Sequence, residues 1–383
     1  MTELLRKFFD LIAYSACDKP LAEDFSCTEE DIKYFFSLAI KHDIASIVAY
    51  ALEKNGLFTD GEYSLKFQDE MFFAAGRVTL LDYFYKDVYK CLESADVAFV
   101  PLKGAIVRKY YPHDFFRTSG DIDLLVKEED FDKACKALTD GLKLKVSYRS
   151  SHDLALTRSQ FETVEIHYSL IEKDRANNAG GELTKAWDNA YPLCGCEYAF
   201  TNEFFKFYQV AHMLKHFEES GCGIRFFLDL YFLRAMPVDG EKFKKMLSDH
   251  GLLKFYENCE KLVDLWFLGG EEDELIMRMN AFIVYSGLYG NVENFVAIGK
   301  KKKGGGFKYV LSRAFLPYDK LKEFFPALEG RKWLLPFYQI KRWFLMIFGG
   351  RLKNKVAELK QTRADDGDMG ERIDKLFKDL GIE

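Results

Sequence analysis

Gly120-Asp121-Ile122-Asp123-Leu124-Leu125-Val126 is the stretch that decides how this chain is read. Acidic and apolar residues alternate from Asp121 to Leu124, the pattern of a strand with one face turned to a core. Residues two apart in a strand share a face. Asp121 and Asp123 therefore point one way, while Ile122, Leu124 and Val126 point into the interior. Two carboxylates side by side repel unless a cation stands between them. Oxygen donors alone suit a hard ion, Mg²⁺ or Mn²⁺, which takes one or two carboxylates together with substrate phosphate oxygens.

Upstream, Val97-Ala98-Phe99-Val100-Pro101-Leu102 reads as a short buried strand that opens through Lys103-Gly104-Ala105 into a helical stretch ending near Tyr111. A glycine at 104 lets backbone N–H groups approach a phosphate, and a helix N-terminus favours negative charge. Lys103 adds a cation there, and Arg117 lies on a loop within reach of the same face. Downstream, Glu128–Leu138 is an amphipathic helix. Three strands follow, Leu142–Ser147, Asp153–Thr157 and Phe161–Tyr168, with Arg158-Ser159-Gln160 turning between the last two. Val164 and Ile166 face the core, so Glu165 and His167 share the opposite face. A third carboxylate arriving from a neighbouring strand is what a two-metal phosphoryl-transfer site requires. His152, just ahead of the adjacent strand, is placed to face the same site.

The flanks are helical. Leu4, Leu5, Phe8, Leu11 and Ile12 recur at helical spacing; Thr28 with Asp31 forms a capping box; Asn55-Gly56 is a stop; and a long amphipathic segment runs from about Gly61 to Ser94. The helical period returns after Ala199 with Phe204, Phe207, Tyr208, Ala211 and Leu214. A second helix spans Arg225–Ala235. On this helix Asp229 is expected to pair with Arg225 at i, i+4. The class is thus α+β: a small mixed-sheet core at 95–198 between helical segments at 1–94 and 199–383.

Of 383 residues, 48% are hydrophobic and 30% charged, which excludes a disordered chain. A net charge of −6 excludes a uniformly basic nucleic-acid-coating protein. The eight cysteines are scattered, with Cys194-Gly195-Cys196 the closest pair, so neither a disulfide scaffold nor a zinc site is indicated. There is no signal-peptide pattern, no transmembrane segment and no apolar window of about 18 residues. A soluble protein of the cytoplasm is expected.

Strand, Leu102-Lys103-Gly104, Arg117, Asp121-Ile122-Asp123-Leu124-Leu125-Val126 and Glu165-Ile166-His167, followed by helices, resemble the nucleotidyltransferase superfamily related to DNA polymerase β. The match is nearest to a bacterial family of uncharacterised nucleotidyltransferases. It runs in order from Met1 to Phe348 and is specific over Val97–Tyr168. The resemblance implies Asp121, Asp123 and Glu165 as metal ligands and catalytic residues for Mg²⁺ or Mn²⁺. It also implies Gly104 in the nucleotide phosphate loop; Lys103, Arg117, His152 and His167 are read from their placement as further nucleotide contacts. NMP would pass from an NTP to a hydroxyl or phosphate acceptor, an RNA or a small molecule. The superfamily's usual second glycine or serine is replaced here by Ala105, which removes a phosphate donor. This departure leaves a non-catalytic nucleotide-binding module, or a tRNA-type enzyme or toxin, as alternatives.

Between Gly299 and Lys355, 15 Lys or Arg face only Asp319, Glu323 and Glu329. Lys300–Gly306 reads as a flexible loop. The aromatics interleaved with these cations suit either nucleic-acid stacking or, over Trp333–Arg351, an amphipathic helix lying on an anionic membrane.

Overall fold

The computed structural model describes residues 1–150, 152–171, 179–348 and 367–382. Four helices come first: α1 (Glu3–Cys17), α2 (Glu29–Lys41), α3 (Ala45–Lys54) and the 33-residue α4 (Glu62–Ser94). The capping box closes α2 as expected: Asp31 N–H donates to Thr28 Oγ1 at 3.2 Å, and Thr28 N–H donates to Asp31 Oδ2 at 2.9 Å. Then come β1 (Phe99–Pro101), the one-turn α5 (Gly104–Val107), β2 (Ile122–Val126), α6 (Phe131–Leu142), β3 (Lys145–Arg149), β4 (Asp153–Ser159) and β5 (Glu162–His167). After α7 (Gly180–Leu183), β6 (Ala190–Cys194) and β7 (Glu197–Phe200) complete a mixed seven-stranded sheet of order β3-β4-β5-β2-β1-β7-β6.

The remaining described residues are helical: α8 (Asn202–Glu219), α9 (Ile224–Leu233), α10 (Gly240–Asp249), α11 (Leu253–Val263), α12 (Glu274–Ser286), α13 (Val292–Lys303), α14 (Gly306–Ala314), α15 (Tyr318–Phe324), α16 (Leu335–Phe348) and α17 (Gly367–Asp379).

Strand β2 is buried along its whole length, because both faces of the sheet are covered. Ile122, Leu124 and Val126, with Val164 and Ile166 of β5, meet Leu81, Phe84 and Val88 of α4 and Phe131, Ala134 and Leu138 of α6. Leu125 and Val100 face the other way, into the larger helical core. That core draws on both ends of the chain. Phe9 of α1 stacks on Trp266 at 4.6 Å, and Phe377 of α17 packs on Phe217 of α8. The first and last helical segments, separate in sequence, thus share one interior.

Three local expectations are corrected. Strand β3 starts at Lys145, because α6 continues to Leu142 before it ends. Strands β6 and β7 went unread. β6 is an exposed edge interrupted by Pro192, a residue that removes a ladder donor and blunts the strand signal. Lys300–Lys303 are the last turn of α13 rather than a loop. Cations there complement the negative end of the helix dipole, and Gly304, at φ +72°, supplies the left-handed residue that ends it. The eight cysteines are free. Among the described residues no helix is long and apolar enough to cross a membrane. Residues 349–355 of the basic segment, including Arg351, lie outside the described residues.

Candidate active site

Strands β2 and β5 run parallel with Asp123 directly opposite Glu165 and Leu125 opposite His167. Adjacent residues in such a ladder are about 4.8 Å apart, so their side chains stand together on one face. His167 Nε2 lies 3.1 Å from Asp123 Oδ1 and 3.7 Å from Glu165 Oε2. Lys103, between β1 and α5, reaches the same Asp123 oxygen, with Nζ 3.0 Å away. To hold it there the backbone at Lys103 takes φ +39° and ψ −111°, a conformation costing an L-residue about 1–3 kcal/mol.

One donor atom each from Asp123, Glu165 and His167 lies within 4.8 Å of the others. Asp121 stands one residue ahead of β2 and outside this tightest set. A second group, His152, Asp153 and His167, meets the same criterion. Asp153 Oδ2 sits 3.3 Å from His152 Nε2 and 3.8 Å from His167 Nδ1. Ser150 Oγ donates to the other Asp153 oxygen at 2.7 Å. His167 is therefore flanked by a carboxylate on each ring nitrogen.

The electrostatics divide the three acids. Burial acts to raise the Asp123 pKa, but Lys103 and His167 outweigh it and hold that carboxyl well below the usual range. Burial likewise works against the Lys103 ammonium, and Asp123 outweighs that and keeps it charged. Asp121, raised by burial and then by Asp123, sits at about 6. Glu165, raised by burial and then by Asp123 and Asp121, sits at about 8. Negative charge thus exceeds the cations provided, the condition under which a carboxylate cluster accepts a divalent ion. The donor set, carboxylate oxygens with imidazole nitrogens, could hold a divalent metal ion.

Helix α8 closes this face. Tyr208 and His212, one turn apart, sense the charges of Lys103 and Asp123. Burial pushes the tyrosine pKa up and the histidine pKa well down. His212 Nε2 meets His216 Nε2 at 3.2 Å, so the i, i+4 histidines pair along α8. Tyr208 was read from sequence only as part of an apolar face; its four-residue spacing from His212 was the available signal.

Arg117 takes a different position from the open phosphate contact expected of it. It is buried, and its fork grips Asp229 of α9, Nε to Oδ1 at 2.8 Å and Nη2 to Oδ2 at 3.0 Å. Tyr111 Oη donates to the same carboxylate at 2.6 Å. Asp229 therefore pairs with Arg117 and not with Arg225, which instead bonds Asp43. Asp43 also accepts from Thr118. The loop before β2 is in this way bolted to the helices at two successive residues, which fixes where Asp121 enters the sheet.

Gly104 is explained by close approach. A Cβ there would lie 2.3 Å from Ser119 Oγ but 3.5 Å from Ser119 Cβ. Gly104→Ala is expected to destabilise by about 1–3 kcal/mol, and Ser119→Ala in the same chain to restore most of the loss, read from urea midpoints. Equal losses in the single and double variants would refute the contact. Beside Asp121, a cavity of about 310 Å³ is lined by Arg77, Ser119, Gly120, Gln160 and Phe161. The Arg77 guanidinium stands 5.9 Å from the Phe161 ring centroid.

A family model described as "Uncharacterised nucleotidyltransferase" matches residues 28–268, more than half of the chain. No curated protein and no solved structure matches.

Proposed function

Because the chain belongs to the uncharacterised nucleotidyltransferase family, we propose that it transfers NMP from an NTP to a hydroxyl or phosphate acceptor, using Mg²⁺ or Mn²⁺. The observation that carries the reading is the in-register pairing of Asp123 and Glu165 beneath Lys103 and His167. Asp123 and Glu165, with Asp121 and His167 beside them, would hold the metal, which supplies charge neutralisation on the phosphates and a lowered pKa for the attacking oxygen.

Glu165, ionised once it helps to hold the metal, accepts the acceptor's proton as the new O–P bond forms at the α-phosphorus. The bond from that phosphorus to the bridging oxygen breaks, and pyrophosphate leaves with the electron pair. Lys103 keeps a fixed cation at the site. The backbone at Gly104 lets the phosphates approach, while His152 and His167 contribute imidazoles at its edge. Arg117 positions the loop that carries Asp121. Arg77, in the cavity beside Asp121, suits an acceptor bearing an anionic group.

The test is incubation with four α-labelled NTPs, Mg²⁺ or Mn²⁺, and a host lysate. A labelled product that disappears in the Asp121→Asn/Asp123→Asn variant is expected. No labelling with any nucleotide and either ion defeats the enzyme reading. The direct Lys103–Asp123 ion pair favours one rival, a nucleotide-binding module without turnover, since the ammonium already neutralises that carboxylate. Calorimetry separates the two: NTP binding indifferent to Mg²⁺ belongs to the module.

A pH dependence follows. Glu165 must lose its proton to grip a cation, so Mn²⁺ affinity is expected to rise from pH 6 to pH 8.5 with proton release, measured by calorimetry in buffers of different ionisation enthalpy. In the metal-free protein the sign reverses. A carboxyl raised from 4.5 to about 8 contributes stability below pH 4.5 that is lost as pH climbs through 8. Metal affinity that is flat across this range would contradict the assignment.

A further inference from the structure

Helix α16 is turned inside out. A surface helix ordinarily buries its apolar stripe and gives its polar face to water. Here Gln339, Arg342 and the Trp343 N–H turn inward. Gln339 is buried and donates to the Leu316 carbonyl. Arg342 donates to the carbonyls of Arg313 and Ala314 at 3.1 and 2.6 Å, and Trp343 Nε1 donates to Ala314 O at 2.9 Å. The outward face carries Phe337, Ile340, Phe344 and Phe348, at helical spacing and 65, 48, 58 and 79% exposed. Leu345 and Ile347 flank them, and Trp333 stands exposed just ahead of the helix. Helix α14 adds Phe307 and Leu311, one turn apart and also exposed. Soluble proteins seldom leave a whole helix face of large apolar side chains bare.

We propose that this face docks on an anionic lipid bilayer, with α16 lying in the plane of the headgroups. Charge argues for that occupant. From Lys300 to Phe348 the sequence has twelve Lys or Arg and three acids. Lys341 lies on the apolar face itself, between Phe337 and Phe344, and Lys332 and Lys308 adjoin Trp333 and Phe307. Aromatic rings with a cationic rim are the composition of interfacial helices.

Among the described residues no helix is long enough to span: the 14 residues of α16 reach about 21 Å, short of the roughly 30 Å hydrocarbon core. A second copy of the chain is disfavoured, because a two-fold interface would set this basic rim against itself. Single-stranded nucleic acid is disfavoured by Ile340, Leu345, Ile347 and Leu311, which give bases nothing flat to stack on. The docking is independent of the transferase reading, since α16 supplies no residue to that site.

The experiment is co-sedimentation of the full chain with vesicles of phosphatidylcholine containing phosphatidylglycerol, and with pure phosphatidylcholine, without nucleotide. Binding to the anionic vesicles that weakens with salt is expected. Phe337→Glu/Phe344→Glu should bind at least about tenfold more weakly, and Lys341→Glu should reduce the preference for phosphatidylglycerol. Both substitutions are on the outer face, so circular dichroism and melting should not change. Absence of binding at low salt, or undiminished binding by the double variant, overturns the proposal. So does a variant that abolishes self-association or RNA binding in a protein that ignores both vesicles.

Discussion

Asp123→Asn is expected to lower nucleotide transfer by about 10³-fold or more, because several kcal/mol of charge stabilisation in the transition state would depend on that one carboxylate. Asp123 is where the site's interactions converge. Lys103 and His167 both reach its Oδ1, and Glu165 stands opposite it in the ladder. Asparagine keeps the shape and removes the charge, so its effect should fall on metal affinity and turnover more than on folding. The measurement is single-turnover transfer of labelled NMP, with Mn²⁺ affinity by calorimetry on the same preparation. A folded variant that transfers within tenfold of the parent would remove Asp123 from the reaction. Glu165→Gln gives a complementary readout: loss of the pH dependence of metal binding between 6 and 8.5.

The second large effect is on stability. Arg117→Ala should cost about 3–5 kcal/mol, because it strands the buried Asp229 carboxylate with only Tyr111 as a donor. Arg117→Lys should recover little, since an ammonium cannot span both oxygens of the carboxylate. Arg117→Met with Asp229→Leu should recover a large part, because no unpaired charge is then left inside. Urea unfolding followed by far-ultraviolet circular dichroism checks all three. A loss below about 1 kcal/mol for Arg117→Ala would mean that water reaches the pair.

The alternation Asp121–Leu124 was legible because β2 alternates between two different environments. Its even-numbered residues enter the α4–α6 core, and Asp123 turns to Lys103 and His167 on the other face. The same logic placed Glu165 and His167 correctly relative to Val164 and Ile166. The partner of Asp229 was not legible. Arg225 is four residues away in the helix and Arg117 is 112 residues away in sequence, and only the assembled fold decides between them. The lysine run at 300–303 was misread for a similar reason. Its composition alone suits a loop, but Val296, Ala297 and Ile298 are buried just ahead of it and carry the helix through. β6 and β7 have short, half-exposed sequences whose strand character comes from pairing with each other and with β1.

The stacking of Phe9 on Trp266 has a consequence for synthesis. About 250 residues separate the two rings, and a ribosome adds roughly 5–20 residues per second. For on the order of 10–50 s, Phe9 of the nascent α1 therefore lacks Trp266 and Phe267, while Phe8 already has Phe35 of α2 to pack on. The chain's yield on expression should respond to the supply of holdase chaperones more strongly than its melting temperature suggests.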